Sequence, residues 1–411
     1  MQKNNYIGYC GMSHLGLNYL ATSAIKNFEV IGYDSDKKHI DNLKKNIFQI
    51  KEPGLENALR KNKKKIMFTS QIEELKKCKL IFISLDIKTD TKNNSDYKEI
   101  FKLIHEIMNK LSHKFSLVIL SQVYPGFTSK LKKKNIKIFY QVETLIFGKA
   151  LNCAINPSRI IIGSKSKNIS GAYAQYLKKF QCEKIITNLE TAEFTKIAIN
   201  LYLISNLTLT NTLNNISNNI GARWKDVQHS LRLDKRIGKY SYLKPGMGIA
   251  SGNLERDLMT ILNISSLENH SKNLFSLWKK ISLYHEDWII RNLNDIKINF
   301  KDINLLGITY KPQTNSLKNS VAIKIIKRLK NIRFHCYDPE IKTTPKIKNL
   351  FLYQNMNTNF IKSKILIIAT NHEIFKRKKF QKLIKLKNIK YVIDPFGILS
   401  IKNKNIKHYK I

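Results

Sequence analysis

The segment from Tyr6 to Asp34 constrains the fold more than any other part of the chain. A short apolar run, Tyr6 to Cys10, leads into Gly11-Met12-Ser13-His14-Leu15-Gly16. Leu15 to Lys26 then carry a helical pattern, and Phe28 to Tyr33 form a second apolar run ending at Asp34. Strand, glycine turn, helix, strand and acid follow one another at the spacing of a dinucleotide-binding βαβ unit, G-x-G-x-x-G with Ser13 at the second glycine. Gly11 permits the tight turn, and Gly16 lets helix and strand pack closely. The helix N-terminus offers orphan N–H groups to a pyrophosphate. Ser13 adds a small side chain whose hydroxyl can itself donate to phosphate. Asp34 has the spacing of the ribose-binding acid, and its charge favours NAD over NADP by repelling a 2′-phosphate. The candidate cofactor residues are therefore Gly11, Ser13, His14, Leu15, Gly16 and Asp34. The His14 side chain, at the helix start, is expected on the surface and not as a catalyst.

Lys79 to Ser84 and Leu117 to Leu120 read as further buried strands, and strands separated by helices argue for a parallel sheet covered on both faces. From Thr191 to about Ile220 there is no Gly or Pro, and apolar residues recur at helical spacing, which predicts one long helix stopped by Gly221. Gly and Pro cluster between Gly238 and Gly252, a loop signal, and a helical region follows from Leu254 to Leu293. The last third repeats the α/β layout. Ile303 to Gly307, Arg333 to Tyr337, Ile365 to Ala369 and Tyr391 to Ile393 read as strands, and Val321 to Leu329 as a helix. The Lys/Asn-rich end, Ile401 to Ile411, is expected to fray. Three regions result: α/β over 1–190, helical over 191–298, and α/β over 299–411.

Charge needs its own reading. There are 72 Lys+Arg against 30 Asp+Glu, a net +42. The basic residues are spread along the chain among abundant Asn and Ile, which fits biased codon usage. No arginine-rich arm, zinc-finger spacing or RNA-binding signature accompanies them, so no nucleic-acid partner is expected. The excess charge still attracts an anion such as a nucleotide diphosphate. The five cysteines are odd in number and lack CxxC pairing, which fits reduced thiols in a cytoplasmic protein. Neither a metal site nor a signal peptide is expected. No apolar run approaches ~18 residues, so no membrane span is expected.

A set of ordered motifs covers nearly the whole chain. They are Glu52-Pro53-Gly54-Leu55; Ser121-Gln122-Val123-Tyr124-Pro125-Gly126; Glu143-Thr144-Leu145-Ile146-Phe147-Gly148; Ala192-Glu193 with Lys196 and Asn200; Asp234-Lys235-Arg236-Ile237-Gly238; the loop from Gly246 to Asp257; and Gly307-Ile308-Thr309-Tyr310-Lys311, with Lys318-Asn319-Ser320 after it. Together they resemble the UDP-glucose/GDP-mannose dehydrogenase family, whose patterns there are E-P-G-L, S-T-V-x-P-G, P-E-F-L-R-E-G, A-E-x-x-K-x-x-x-N, D-x-R-I-G, G-x-G-x-G-G-x-C-x-P-K-D and G-x-x-F-K. The resemblance implies an N-terminal Rossmann domain for NAD, a long central helix with a helical dimerisation core, and a C-terminal Rossmann-like domain for the nucleotide sugar. It also implies oxidation of the sugar C6 alcohol to a carboxylate in two hydride transfers, through a cysteine thiohemiacetal and thioester.

The same match assigns site residues. Ser121 joins the cofactor set. Lys196 and Asn200, one helical turn apart, would stabilise a developing alkoxide. Glu143 and Asp257 would hold or deprotonate water. Arg236 resembles the arginine that reaches a neighbouring subunit's substrate site. Gly246, Gly248 and Gly252 would keep the loop close to the ligand, although Ala250-Ser251 replace a Gly-Gly pair. Lys311 would bind substrate. The catalytic cysteine is replaced by Asn253, the second glutamate of P-E-F-L-R-E-G by Phe147, and the S-T-V threonine by Gln122. A carboxamide is a very poor nucleophile. Cys153, the nearest thiol in motif terms, reads as structural. Three readings stay open. One is full oxidation of a nucleotide sugar, most simply UDP-glucose to UDP-glucuronate, through a hydrated aldehyde without a cysteine. The second is an enzyme stopping at the aldehyde, and the third a non-catalytic NAD- or nucleotide-sugar-binding homologue. A UDP-sugar is the favoured ligand and a homodimer or higher homo-oligomer the expected assembly.

Overall fold

In the computed structural model the described residues are 6–48, 50–90, 93–249, 252–264, 266–296, 300–317, 320–355, 358–378, 380, 389–401 and 403–411. Ala250, Ser251, Lys318 and Asn319, all named above, lie outside them. The chain divides into two units, Met1–Ile199 and Asn200–Ile411.

The first unit is built on an eight-stranded sheet. Its strands are β1 (Tyr6–Cys10), β2 (Val30–Tyr33), β3 (Ile66–Thr69), β4 (Cys78–Ile83), β7 (Phe115–Ile119), β8 (Ile136–Gln141), β9 (Arg159–Gly163) and β10 (Glu183–Thr187); a separate two-stranded hairpin pairs β5 (Lys88–Thr89) with β6 (Ser95–Asp96). The strand order is β10-β9-β8-β7-β4-β1-β2-β3. Pairing is parallel except between β8 and β9. The expected parallel sheet is thus present, with one antiparallel step in it. The connection that leaves the C-terminal end of β8, and carries Glu143, re-enters the sheet beside that same end. This puts Glu143 on the edge of the sheet where β1 hands over to the glycine turn. Strands β2, β4 and β7 are buried almost throughout, as continuous apolar runs covered on both faces require. The strand order reverses between β1 and β4, and a doubly wound sheet opens a ligand crevice at that point, outside the strand C-termini.

The predicted long helix spans Leu189–Asn219 and crosses the boundary between the units. Gly221 ends it with φ +74°, and Ala222 N–H closes onto Ser217 O at 2.8 Å, a glycine-capped terminus. The second unit continues with helices Trp224–Leu233, Gly252–Leu262, Asn269–Glu286 and Trp288–Asn294. The helical region expected from Leu254 to Leu293 is therefore broken twice: one helix ends at Leu262 and the next begins at Asn269, and Asp287, whose N–H caps Leu283 O, ends the second.

The second unit also holds a six-stranded parallel sheet: β11 (Asp302–Leu306), β12 (Arg333–Tyr337), β13 (Leu350–Tyr353), β14 (Ile365–Ile368), β15 (Tyr391–Ile393) and β16 (Lys407–Tyr409), in the order β13-β12-β11-β14-β15-β16. Its order reverses between β11 and β14, again leaving a crevice beyond the strand ends. The C-terminal segment does not fray as expected. Lys407 to Tyr409 pair with β15, and Asp394 N–H donates to Tyr409 O at 2.9 Å. An edge strand needs only one apolar face, and Tyr409 and Ile411 supply it by packing on the core, so the lysines and asparagines can face outward.

Candidate active site

The glycine turn leaves β1 at the crevice. Gly11 has φ +102°, and a Cβ there would lie 2.7 Å from Leu85 Cα. At Gly16 a Cβ would lie 1.8 Å from Gly11 O and 2.9 Å from Ser84 Oγ, so helix and turn touch with no room for a side chain. Ser84, which the sequence reading did not single out, donates its hydroxyl to Gly11 O at 3.0 Å. Its signal was available, as the first polar residue after an apolar strand. Ser13 Oγ is buried and has no hydrogen-bond partner among the described residues. A buried hydroxyl left unpaired is costly, and a phosphate oxygen at the turn would satisfy it. Asp34 directly follows β2, where its Oδ2 accepts from Met12 N–H at 2.8 Å, and so braces the turn. Leu15 is buried in the core, which leaves its backbone N–H as the part able to face a ligand. A narrow turn, a helix N-terminus, an orphaned hydroxyl and an acid on the neighbouring strand fit a dinucleotide.

The His14 side chain is not at the surface as expected. It retains 12% exposure, its Nε2 lies 2.8 Å from Glu52 Oε2, and its ring stacks on Phe147 with centroids 4.1 Å apart. The buried Glu52 carboxylate needs donors, and His14 supplies one beside the Gly148 and Ala150 amides at 3.1 and 2.9 Å. Burial by itself would raise the Glu52 pKa, but the His14 bond and the two amides outweigh it and leave it below the usual carboxylate value. Ser121 is buried, and its hydroxyl donates to Leu85 O at 2.7 Å, tying the segment after β7 to the end of β4. Glu193 does similar work from the long helix. It is fully buried and accepts from Gly126 and Thr128 N–H at 2.6 and 2.8 Å, with burial raising its pKa.

The expected catalytic groups sit in buried pairs. Within the first unit, Lys196 Nζ donates to Glu143 Oε2 at 3.1 Å; both are under a tenth exposed, and Glu143 Oε1 accepts from Leu145 N–H. Within the second unit, Asn200 Nδ2 donates to Asp257 Oδ2 at 2.5 Å, with Arg256 Nε 3.8 Å from the other oxygen. Asp257 is 1% exposed. None of these four residues is a solvated surface group: Glu143, Lys196, Asn200 and Asp257 are all buried. Asn253 differs from them. It is the second residue of helix Gly252–Leu262, and it is exposed.

The substrate-binding candidates separate. Lys311 lies in the loop after β11, at the crevice of the second sheet, and burial pushes its ammonium pKa below the usual lysine value. A desolvated cation there gains by pairing with an anion. Arg236 is exposed on the single chain, its side chain 89% accessible and held by Asp234 at 3.0 and 2.6 Å, as a residue that reaches a neighbouring subunit would have to be. Gly248 has φ +70°, and a Cβ there would lie 2.5 Å from Ser282 O, so close helix packing accounts for this glycine where approach to a ligand was expected. Gly252 opens its helix.

Comparison with known proteins completes the picture. Residues 5–181 match the NAD-binding domain, 190–282 the central domain and 304–401 the UDP-binding domain of a single family. The chain belongs to the UDP-glucose/GDP-mannose dehydrogenase family. NAD is accordingly its cofactor and a nucleotide sugar its substrate class, and the chain is an NAD-dependent nucleotide-sugar dehydrogenase. It is 27% identical over 430 residues to the UDP-glucose 6-dehydrogenase of Rickettsia conorii, covering 98% of this chain and 99% of that protein. It is 26% identical over 413 residues to the UDP-N-acetyl-D-mannosamine dehydrogenase of Methanococcus vannielii, covering 97% and 94%. Two solved structures share the fold. A UDP-D-ManNAc dehydrogenase from Pyrococcus horikoshii superposes with TM-score 0.85 at 19% identity, covering 99% of each chain. A UDP-glucose dehydrogenase from Pyrobaculum islandicum superposes with TM-score 0.83 at 19% identity, covering 99% and 97%. Among the described residues no helix is long and apolar enough to cross a membrane.

Proposed function

We propose that the chain oxidises C6 of a UDP-sugar, most simply UDP-glucose to UDP-glucuronate, by a route that uses no cysteine. The observation that carries this is Asp257, a carboxylate at 1% exposure bonded to Asn200. Burying a carboxylate costs several kcal/mol, and a chain that only bound ligand would gain nothing from keeping it. The retained Glu143–Lys196 pair argues the same way.

NAD, held by Gly11, Ser13, Gly16 and Asp34, supplies the hydride acceptor for each of two oxidations. In the first, O6 gives up its proton, and the Lys196 ammonium and Asn200 amide stabilise the developing alkoxide as C6 becomes an aldehyde. Water, deprotonated with the help of Glu143 or Asp257, then adds to the aldehyde carbon and gives a hydrate. Loss of a second hydride from the hydrate leaves the carboxylate. Atoms and electrons balance without a thiol: one alcohol, one water and two NAD give one carboxylate, two NADH and three protons. Lys311 would hold the diphosphate. Tyr202, Leu209 and Ile216, seven residues apart on the long helix, are exposed at 75%, 59% and 48%, and this stripe supports a homodimer. We place the reaction in the cytoplasm, where reduced thiols and NAD coexist.

The exposed Asn253 favours one second reading, release of the aldehyde after the first oxidation. The test is to incubate the protein with NAD and a panel of UDP- and GDP-sugars and to count NADH per sugar consumed. Two NADH and a uronate are expected. One NADH and an aldehyde would establish the second reading, and no NADH from any sugar would overturn both.

A further inference from the structure

The His14, Glu52 and Phe147 cluster has no part in the chemistry above, yet it joins two segments that the chemistry needs. His14 opens the helix whose N-terminus would face the pyrophosphate of NAD, and its carbonyl accepts from Asn18 Nδ2 at 2.7 Å. Its ring meets the 143–150 segment in two ways. The edge lies 2.8 Å from Glu52, whose other contacts are the Gly148 and Ala150 amides, and the face stacks on Phe147 at an interplanar angle of 16°. Glu143 is on this same segment, four residues before Phe147, and accepts from Leu145 N–H within it. An imidazole has two side-chain torsions and no slack, so a shift of the turn reaches the segment through both contacts.

We propose that His14 is a positioning residue that couples the cofactor turn to the segment carrying Glu143, so that NAD binding fixes where Glu143 stands. The proposal rests on the dehydrogenase reading given above. A plainly structural His14, one more donor for Glu52, would stabilise both segments without linking them. The cluster also departs from the family pattern, because Phe147 occupies a position where that pattern has glutamate. An aromatic face gives His14 something to stack on, whereas a glutamate would compete with Glu52 for the same ring.

Hydrogen exchange read at the 144–150 amides, with and without NAD, tests the coupling without any turnover. In the wild-type protein NAD is expected to slow exchange there at least threefold. His14→Ala keeps the backbone amide at the helix start, the part of this residue that could face the cofactor, and should still bind NAD with its affinity weakened no more than about threefold, but NAD should no longer slow exchange in the segment. His14→Gln, which keeps a donor for Glu52 but loses the stack, should retain part of the effect, and so should Phe147→Leu if His14→Ala proves unstable. In turnover, His14→Ala should lower kcat at least tenfold with little change in KM for NAD. Equal slowing by NAD in His14→Ala and wild type would overturn the coupling and leave the dehydrogenase reading intact. Failure of the wild type to bind NAD at all would overturn the reading, and the coupling with it.

Discussion

Gly16 and Asp257 make opposite demands on their surroundings, and each yields a prediction. A methyl at Gly16 would sit 1.8 Å from a backbone oxygen, a contact that side-chain rotation cannot relieve. Gly16→Ala should cost about 2 kcal/mol or more in urea unfolding and abolish NAD binding, and a variant with unchanged stability and affinity would refute the packing argument. Asp257→Asn keeps the shape and the Asn200 contact but removes the charge. It should retain NAD binding and lose at least a hundredfold in kcat, read as NADH release from the preferred sugar. Lys311→Ala should raise KM for that sugar tenfold or more while NAD affinity is unchanged, since its desolvated ammonium is then absent from the diphosphate. Glu143, Lys196, Asn200 and Asp257 could be named as candidates from the sequence because motif order is a one-dimensional property. Their pairing could not be read there. Glu143 and Lys196 are 53 positions apart, and Asn200 and Asp257 are 57. The His14–Glu52 contact was missed for the same reason, since nothing near His14 in the chain announces a buried carboxylate 38 residues on.

Among the elements, helix Gly252–Leu262 is held by an ionic cluster that should be visible in the pH dependence of stability. Lys324 lies 2.7 Å from Glu286 and 3.6 Å from Glu255, on the helix that follows β11. Burial pushes the Glu255 carboxyl up to about 7, with Lys324 opposing and Glu286 reinforcing the shift. Between the ordinary value of 4.5 and about 7 the unfolded chain gives up this proton while the folded chain keeps it. Stability therefore falls as pH rises through that window and levels off above it. Glu255→Gln removes the effect, so its stability relative to wild type should climb by roughly 1–3 kcal/mol from pH 4.5 to 7.5 in urea unfolding. Parallel curves would contradict the assignment. Buried parallel strands and the long helix were legible because their patterns are strong and local. Strand β16 was not, because an edge strand made of lysine and asparagine has the composition of a tail. The antiparallel step from β8 to β9 was also hidden, since strand direction depends on where a connection returns.

For the whole molecule, the sequence and the fold agree on two α/β sheets and a helical middle, each sheet reversing its strand order at the loop that bears the candidate ligand residues, Gly11 to Gly16 in one and Lys311 in the other. The assembly is tested on the long helix. Leu209→Asp with Ile216→Asp should convert the proposed dimer to a folded monomer in sedimentation experiments, and an unchanged sedimentation coefficient would overturn the proposal that this stripe pairs two chains. The central claim, oxidation to the acid without a thiol, depends on no cysteine taking the place of Asn253. Of the five cysteines, Cys10, Cys78 and Cys336 are buried, and burial raises the pKa of each. Cys153 and Cys182 are half-buried and are the two more open to reagents. The most direct measurement is NADH formed per UDP-sugar consumed, before and after alkylation of the accessible thiols with iodoacetamide. Two NADH per sugar at an undiminished rate after alkylation is the predicted result. Loss of NADH formation on alkylation, or no more than one NADH per sugar before it, would contradict the claim.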